Sequence, residues 1–109
     1  MLLNTRKWLT ITLLLALGWQ TAAAETGKKV ISLAPAITET VIWLGRGDAL
    51  IGRSSACLEP AEAVAEIPVM GDFARPEVEK IVRAKPDYLL LNDMENPAAI
   101  RTFEGFNIK

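Results

Sequence analysis

Tyr88-Leu89-Leu90-Leu91 is apolar at four consecutive positions, directly after Lys85-Pro86-Asp87. A strand with one wet face alternates apolar and polar residues, so an unbroken run predicts a strand covered on both faces, in a parallel sheet between layers of helix. Two earlier runs, Val30-Ile31-Ser32-Leu33 and Ala49-Leu50-Ile51-Gly52, fit the same sheet. Between them, Pro35 opens a segment in which Ile37, Val41 and Leu44 recur at helical spacing before Gly45. Proline suits a first helical turn and glycine the position past the end, so a helix is expected there. A second helix is predicted from Pro76, with Val78, Ile81 and Val82 inward and Glu79 paired to Arg83 one turn on. It should stop at Lys85-Pro86, because a residue before proline is pushed out of the α region. A short helix over Pro60 to Ala65, a longer one over Pro97 to Phe103 and the start of a strand at Phe106-Asn107-Ile108 complete the order, with 53–75 the least periodic stretch. The class is α/β.

The amino-terminal residues have a different composition. Arg6 and Lys7 precede an apolar run from Trp8 to Leu17, and Thr21-Ala22-Ala23-Ala24 supplies small residues where a signal peptidase needs them. The run is about half the roughly 20 residues that a membrane span takes. Residues 1–24 are therefore expected to be a cleaved signal peptide, and 25–109 one small exported domain. No cysteine stands near the junction, so the product is expected to be soluble and not a lipoprotein. Loss of Arg6 and Lys7 leaves 10 basic and 13 acidic residues. With no basic cluster there is no footprint for nucleic acid.

The sequence has no histidine and one cysteine, Cys57. That removes intrachain disulfides, Ser-His-Asp triads and zinc sites built on imidazole. No GxGxxG or GxxxxGK[ST] occurs, so neither a dinucleotide site nor a P-loop is supported. No nucleophile and base stand in a recognisable pair, so no catalytic residue is assigned and no cofactor is expected. In open parallel sheets, ligands lie beyond the carboxyl ends of the strands. The candidate site loops are accordingly 34–37, 53–59, 71–75 and 92–97.

Four segments together carry a family resemblance. They are Val30-Ile31-Ser32-Leu33-Ala34-Pro35-Ala36-Ile37-Thr38-Glu39, Leu50-Ile51-Gly52-Arg53-Ser54-Ser55, Val69-Met70-Gly71-Asp72-Phe73 and the stretch from Ile81 through Lys85-Pro86-Asp87 to Leu90. In this order and behind an export signal, they resemble the periplasmic binding proteins of iron-siderophore, haem and cobalamin importers. The resemblance implies a Rossmann-like first lobe of a two-lobe protein whose lobes are joined by a long helix. It implies a metal chelate held between the lobes without catalysis, delivery to the membrane subunits of an ABC transporter, a periplasmic location and a monomer. Only the first lobe is matched, which suggests a truncated chain. The alternative is a short exported α/β domain that binds a partner protein or has no independent function. A zinc or manganese receptor would lean on histidines, which this lobe lacks.

The resemblance also implies site residues. Phe73 stands where such proteins set an aromatic ring against the ligand, and the same side chain also suits a cap over the core. Ala36, in the turn after the first strand, faces the ligand by the same implication. Arg53 and Arg75 lie on two site loops where guanidinium groups would meet a chelate's anionic periphery, or simply stay in water. Position 56, an aromatic contact in cobalamin-binding members, is Ala56 here, so cobalamin, haem and siderophore all stay open. Cys57 is either a soft metal ligand or a plain thiol. Tyr88 is expected in the core, and Asp93, Glu95 and Asn96 form a polar cluster that is either solvated or turned to a ligand. Glu79 matches the glutamate with which family members dock onto their transporter, and it sits on the flank of its helix's buried stripe.

Overall fold

In the computed structural model, which describes residues 27–92 and 96–109, the three apolar runs form one parallel sheet in the order β2-β1-β3. β1 (Val30–Ser32) is central, between β2 (Leu50–Arg53) and β3 (Tyr88–Leu90). Val30 lies opposite Leu50 and Tyr88, and Ser32 opposite Arg53 and Leu90, with a shift in the β1–β2 register after Val30. The central place accounts for the complete burial of Ile31 and Ser32. The segment expected to carry the signal peptide lies outside the described residues.

The helices follow the proline and glycine punctuation. α1 (Pro35–Trp43) begins with Pro35 in its first turn and ends at Leu44, after which Gly45 takes the left-handed φ of +75°. Its burial departs from the expected stripe. Thr38 is the buried residue of the helix, Ile37 and Val41 are half-buried, and Leu44 is 73% exposed beside Trp43 at 79%. The helix is apolar on more than one side, so periodicity could not fix its inward face; a polar network around Thr38 does. A 3₁₀ turn (Gly47–Ala49) takes in Ala49, which had been assigned to the second strand.

α2 (Ala61–Val64) lies within the expected short helix. α3 (Val78–Ala84) starts two residues after Pro76, because Pro76 pairs with Gly71 and the Glu77 N–H donates to the Met70 carbonyl at 3.0 Å. It ends at Lys85 in a left-handed conformation before Pro86. The expected Glu79–Arg83 pair is replaced. The ion pair on this helix, among the described residues, is Glu77–Lys80 at 4.0 Å.

α4 (Pro97–Gly105) runs past Phe103, and the predicted strand at 106–108 is a turn instead. The N–H groups of Phe106 and Ile108 both donate to the Phe103 carbonyl, and Asn107 adopts a φ of +59°, so the closing bonds of the helix claim these residues. Pairing with β3 begins only at Lys109, whose carbonyl accepts from Leu89 N–H at 2.7 Å.

The core has two parts. Ile31, Leu33, Met70, Ile81, Leu89, Ala99 and Phe103 pack together, joining the sheet to α3 and α4. Leu50, Val64 and Ile67 form a smaller cluster with Val30, Val41 and Ile42. Tyr88 is not core: it is 39% exposed and borders an open depression of about 300 Å³ with Val30, Val41, Leu44 and Leu90. The described residues cover this face of β3 only in part, which is why the unbroken apolar run did not bury its first residue.

Candidate functional site

Parallel pairing brings the carboxyl ends of all three strands to one edge, and Val69 joins them through a parallel bridge to Arg53. The loops that leave this edge are bonded to one another. Leu33 N–H donates to the Leu90 carbonyl at 3.0 Å, Ser54 N–H to Ser32 at 3.2 Å, and Ser55 N–H to Gly71 at 2.9 Å. The described parts of the candidate loops therefore share one end of the sheet.

Beneath them lies a sealed polar cluster. Ser32, Thr38 and Ser54 are fully buried and Cys57 nearly so. The Thr38 hydroxyl is 2.8 Å from Ser32 Oγ and 3.1 Å from the Ala34 carbonyl, and Cys57 Sγ lies 3.1 Å from Thr38 Oγ1 and 3.2 Å from Ser54 Oγ. No polar side-chain atom that is buried lacks a partner among the described residues. Removing one member strands the others, and a buried polar group without a partner costs about 1–3 kcal/mol. Thr38→Val keeps the shape and deletes the hydroxyl, so it should destabilise the chain by about 2 kcal/mol in urea unfolding. A change below about 0.5 kcal/mol would show that the network is slack.

Two sequence candidates lie in or beside this cluster. Cys57 has hydroxyl neighbours and no path to solvent, and no group of three or more His, Cys, Asp or Glu residues suited to a metal ion occurs among the described residues. Arg53 does not present its guanidinium to a ligand as expected. Nε donates to the carbonyls of Val64 at 2.9 Å and Ile67 at 3.0 Å, and Nη1 to those of Cys57 at 3.0 Å and Ser54 at 3.3 Å. The carbonyls of Val64 and Ser54 also accept the N–H groups of Ile67 and Cys57, so the arginine fork ties together the end of α2 and the two loops that flank it. Its position after β2 was legible, its inward turn was not.

The loop 71–75 is the most tightly held part of the edge. Gly71 has a φ of +93°. Asp72 Oδ1 accepts the N–H groups of Ala74 and Arg75, both at 2.7 Å, and Asp72 N–H donates to the Arg75 carbonyl at 3.3 Å. Asn96 Nδ2 donates to the carbonyls of Phe73 at 3.2 Å and Ala74 at 3.1 Å. The loop thus holds Phe73 38% exposed, with Arg75 exposed beside it and without a side-chain hydrogen bond or ion pair among the described residues. Ala36 is exposed in the first turn of α1, and Ala56 on the loop after β2.

Sequence reasoning missed Leu58, which is 64% exposed on that same loop. An apolar residue between Cys57 and Glu59, in a stretch with no periodicity, was the available signal. It also missed the inward role of Asn96, whose place immediately before Pro97 is an N-cap signature. Asp93 and Glu95, grouped with it in the sequence, lie outside the described residues. Glu79 is exposed in the first turn of α3. It lines an open groove with Glu77, Val78, Lys80 and Arg83.

Comparison with known proteins bears on this geometry. A family model described as periplasmic binding protein matches residues 30–105. The vitamin B12-binding protein of Vibrio vulnificus (strain YJ016) is 35% identical over 101 residues, 92% of this chain and 36% of its own. An uncharacterized ABC transporter substrate-binding lipoprotein, YvrC of Bacillus subtilis (strain 168), is 35% identical over 72 residues, 66% of this chain and 22% of its own. Among solved structures, the periplasmic vitamin B12-binding protein BtuF of Vibrio cholerae superposes with a TM-score of 0.68 at 28% identity, covering 75% of this chain and 32% of that one. The matched stretch thus spans between 22% and 36% of the length of these relatives.

Proposed function

Because the chain belongs to the periplasmic binding protein family, we propose that its loop edge is one wall of a chelate-binding cleft, serving an ABC importer without any chemistry on the ligand. The observation that carries this reading is the pinned 71–75 loop, which presents the Phe73 ring at the carboxyl end of a parallel sheet, next to the exposed Arg75. A flat ring suits the face of a corrin, porphyrin or catecholate, and an exposed guanidinium suits carboxylate or phosphate groups at its edge. Ala36 and Leu58 add apolar surface on the flanking loops. Arg53 contributes by holding the loop after β2 and not by contact. The cobalamin-binding relatives make cyanocobalamin the first probe, and haemin the second because Ala56 provides no ring.

One wall binds weakly. Ligands in closed sites are buried by about 70–90%, and a single lobe supplies half of that enclosure. The chain should bind cyanocobalamin or haemin saturably with a Kd on the order of 100 μM, and Phe73→Ala should weaken this severalfold in an absorbance titration. Submicromolar binding would mean that one wall suffices. Wild-type affinity in Phe73→Ala, or no binding at all, would overturn the reading.

Export and docking belong to the same proposal. Cleavage after Ala24 would release a soluble periplasmic monomer beginning at Glu25, read directly by amino-terminal sequencing, and a membrane-bound product retaining Met1 would contradict it. The Bacillus relative is a lipoprotein by name, whereas the proposed cleavage would leave Glu25 and not a cysteine at the amino terminus. Glu79, exposed on α3, is the proposed contact to the transporter's membrane subunits.

A further inference from the structure

The carboxamide of Asn96 makes three hydrogen bonds with two different tasks. Its Oδ1 accepts the Ala99 N–H at 3.0 Å and so caps α4. Its Nδ2 donates to the carbonyls of Phe73 at 3.2 Å and Ala74 at 3.1 Å, which lie 23 and 22 positions earlier in the chain. An amide nitrogen has two hydrogens, so both bonds form together, and the opposite rotamer would set oxygen against two carbonyls. The helix end and the ring-bearing loop are thereby tied through one side chain.

Without this tie, the loop is braced from within by Asp72 and, among the described residues, joined to the sheet by hydrogen bonds at its base. There, Gly71 receives Ser55 N–H and pairs with Pro76. Phe73 and Ala74, at the outer part of the loop, have their carbonyls fixed by Asn96. A ring held in place before binding loses less conformational freedom when a ligand arrives.

We propose that Asn96 is a positioning residue for ligand capture, which holds the Phe73–Ala74 segment against the amino end of α4 so that the Phe73 ring stands ready at the cleft wall. The inference rests on the reading of that edge as the ligand face, and it assigns to α4 a part in capture that no contact with the ligand requires. Asn96→Asp separates the two tasks. Aspartate still accepts the Ala99 N–H and is a good cap, but it has no donor and sets a carboxylate against the two carbonyls.

The test uses the 109-residue chain in two arms. In hydrogen exchange, Asn96→Asp should speed the amides of 72–75 about tenfold while those of 99–105 keep their protection. Unchanged exchange at 72–75, or equal loosening of α4, would overturn the proposal. In titrations with cyanocobalamin and haemin, Asn96→Asp should weaken binding about three- to tenfold, in the same direction as Phe73→Ala, with Tm within a few degrees of wild type. If Phe73→Ala weakens binding and Asn96→Asp does not, the positioning role is wrong and the ligand face stands. If the loop loosens as expected while Phe73→Ala binds both probes like wild type, the ligand face itself is wrong and the proposal falls with it. Asn96→Ala, which removes cap and tie together, should loosen both segments; protection at 72–75 in that variant would also refute the tie.

Discussion

Gly71→Ala should lower stability by about 3 kcal/mol, which in a chain of this size lowers Tm by about 15 °C. Two effects act together. Gly71 has a φ of +93°, where a side chain is strained whatever the space around it. An added Cβ would also lie 2.6 Å from the Arg75 carbonyl oxygen, 2.7 Å from Glu77 N and 3.0 Å from Pro76 Cα. These are backbone atoms and cannot rotate aside, so the loop must open. Because the Gly71 carbonyl accepts Ser55 N–H, opening also disturbs the loop after β2. Gly52 is the control. A Cβ there meets Met70 Cγ at 2.6 Å and Cε at 2.9 Å, atoms of a flexible side chain, together with Ile31 Cγ1 at 3.1 Å. Gly52→Ala should therefore cost less, about 1–2 kcal/mol. Thermal unfolding of both variants checks the order, and a milder Gly71→Ala would mean that the loop tolerates another shape.

The second large effect falls on α3, where neighbouring residues separate packing from interaction. Ile81 is fully buried among Ile31, Leu33, Met70, Leu89 and Phe103. Ile81→Ala removes about three methylene equivalents from that cluster and should cost about 3 kcal/mol, part transfer and part cavity. Two residues earlier, Glu79 is exposed and outside ion-pair distance of Arg83, so Glu79→Ala should change stability by less than about 0.5 kcal/mol. In a version carrying a second lobe, Glu79→Ala should instead weaken binding to the transporter's membrane subunits and reduce its salt dependence. A Tm drop of several degrees with docking intact would make Glu79 structural.

How much of this could be read in the sequence follows from which forces are local. Val30–Ser32, Leu50–Arg53 and Tyr88–Leu90 were legible because an apolar run without alternation has few uses besides a covered strand. Pro35, Gly45 and Lys85-Pro86 marked helix ends through backbone restrictions that neighbours cannot override. Misreadings occurred where distant partners decide. Thr38, a polar residue on an apolar helix, became its buried face because Ser32 and Cys57 come to meet it. Arg53 turned inward because the carbonyls of Val64, Ile67 and Cys57, from α2 and the loops around it, converge on its guanidinium. Tyr88 stayed half in water because the sheet face in front of it is only partly covered.

The candidate site divides the same way. The loop of Phe73 and Arg75 could be placed at the carboxyl edge from strand order, whereas their part as ligand contacts came from the family resemblance and stays a proposal. What holds the loop there was invisible, since Asn96 reaches it from 22 positions away. A cap signature before Pro97 announces one of its bonds and says nothing of the other two.

The most direct measurement of the ligand-face assignment is a map of backbone amide shifts as cyanocobalamin, and separately haemin, is titrated into the chain. Shifts that saturate together at 34–37, 54–58 and 71–75, with Val41, Leu44 and Tyr88 around the apolar depression unmoved, are the expected result. Saturable shifts centred on that depression or on α3, with the 71–75 loop silent, would contradict it.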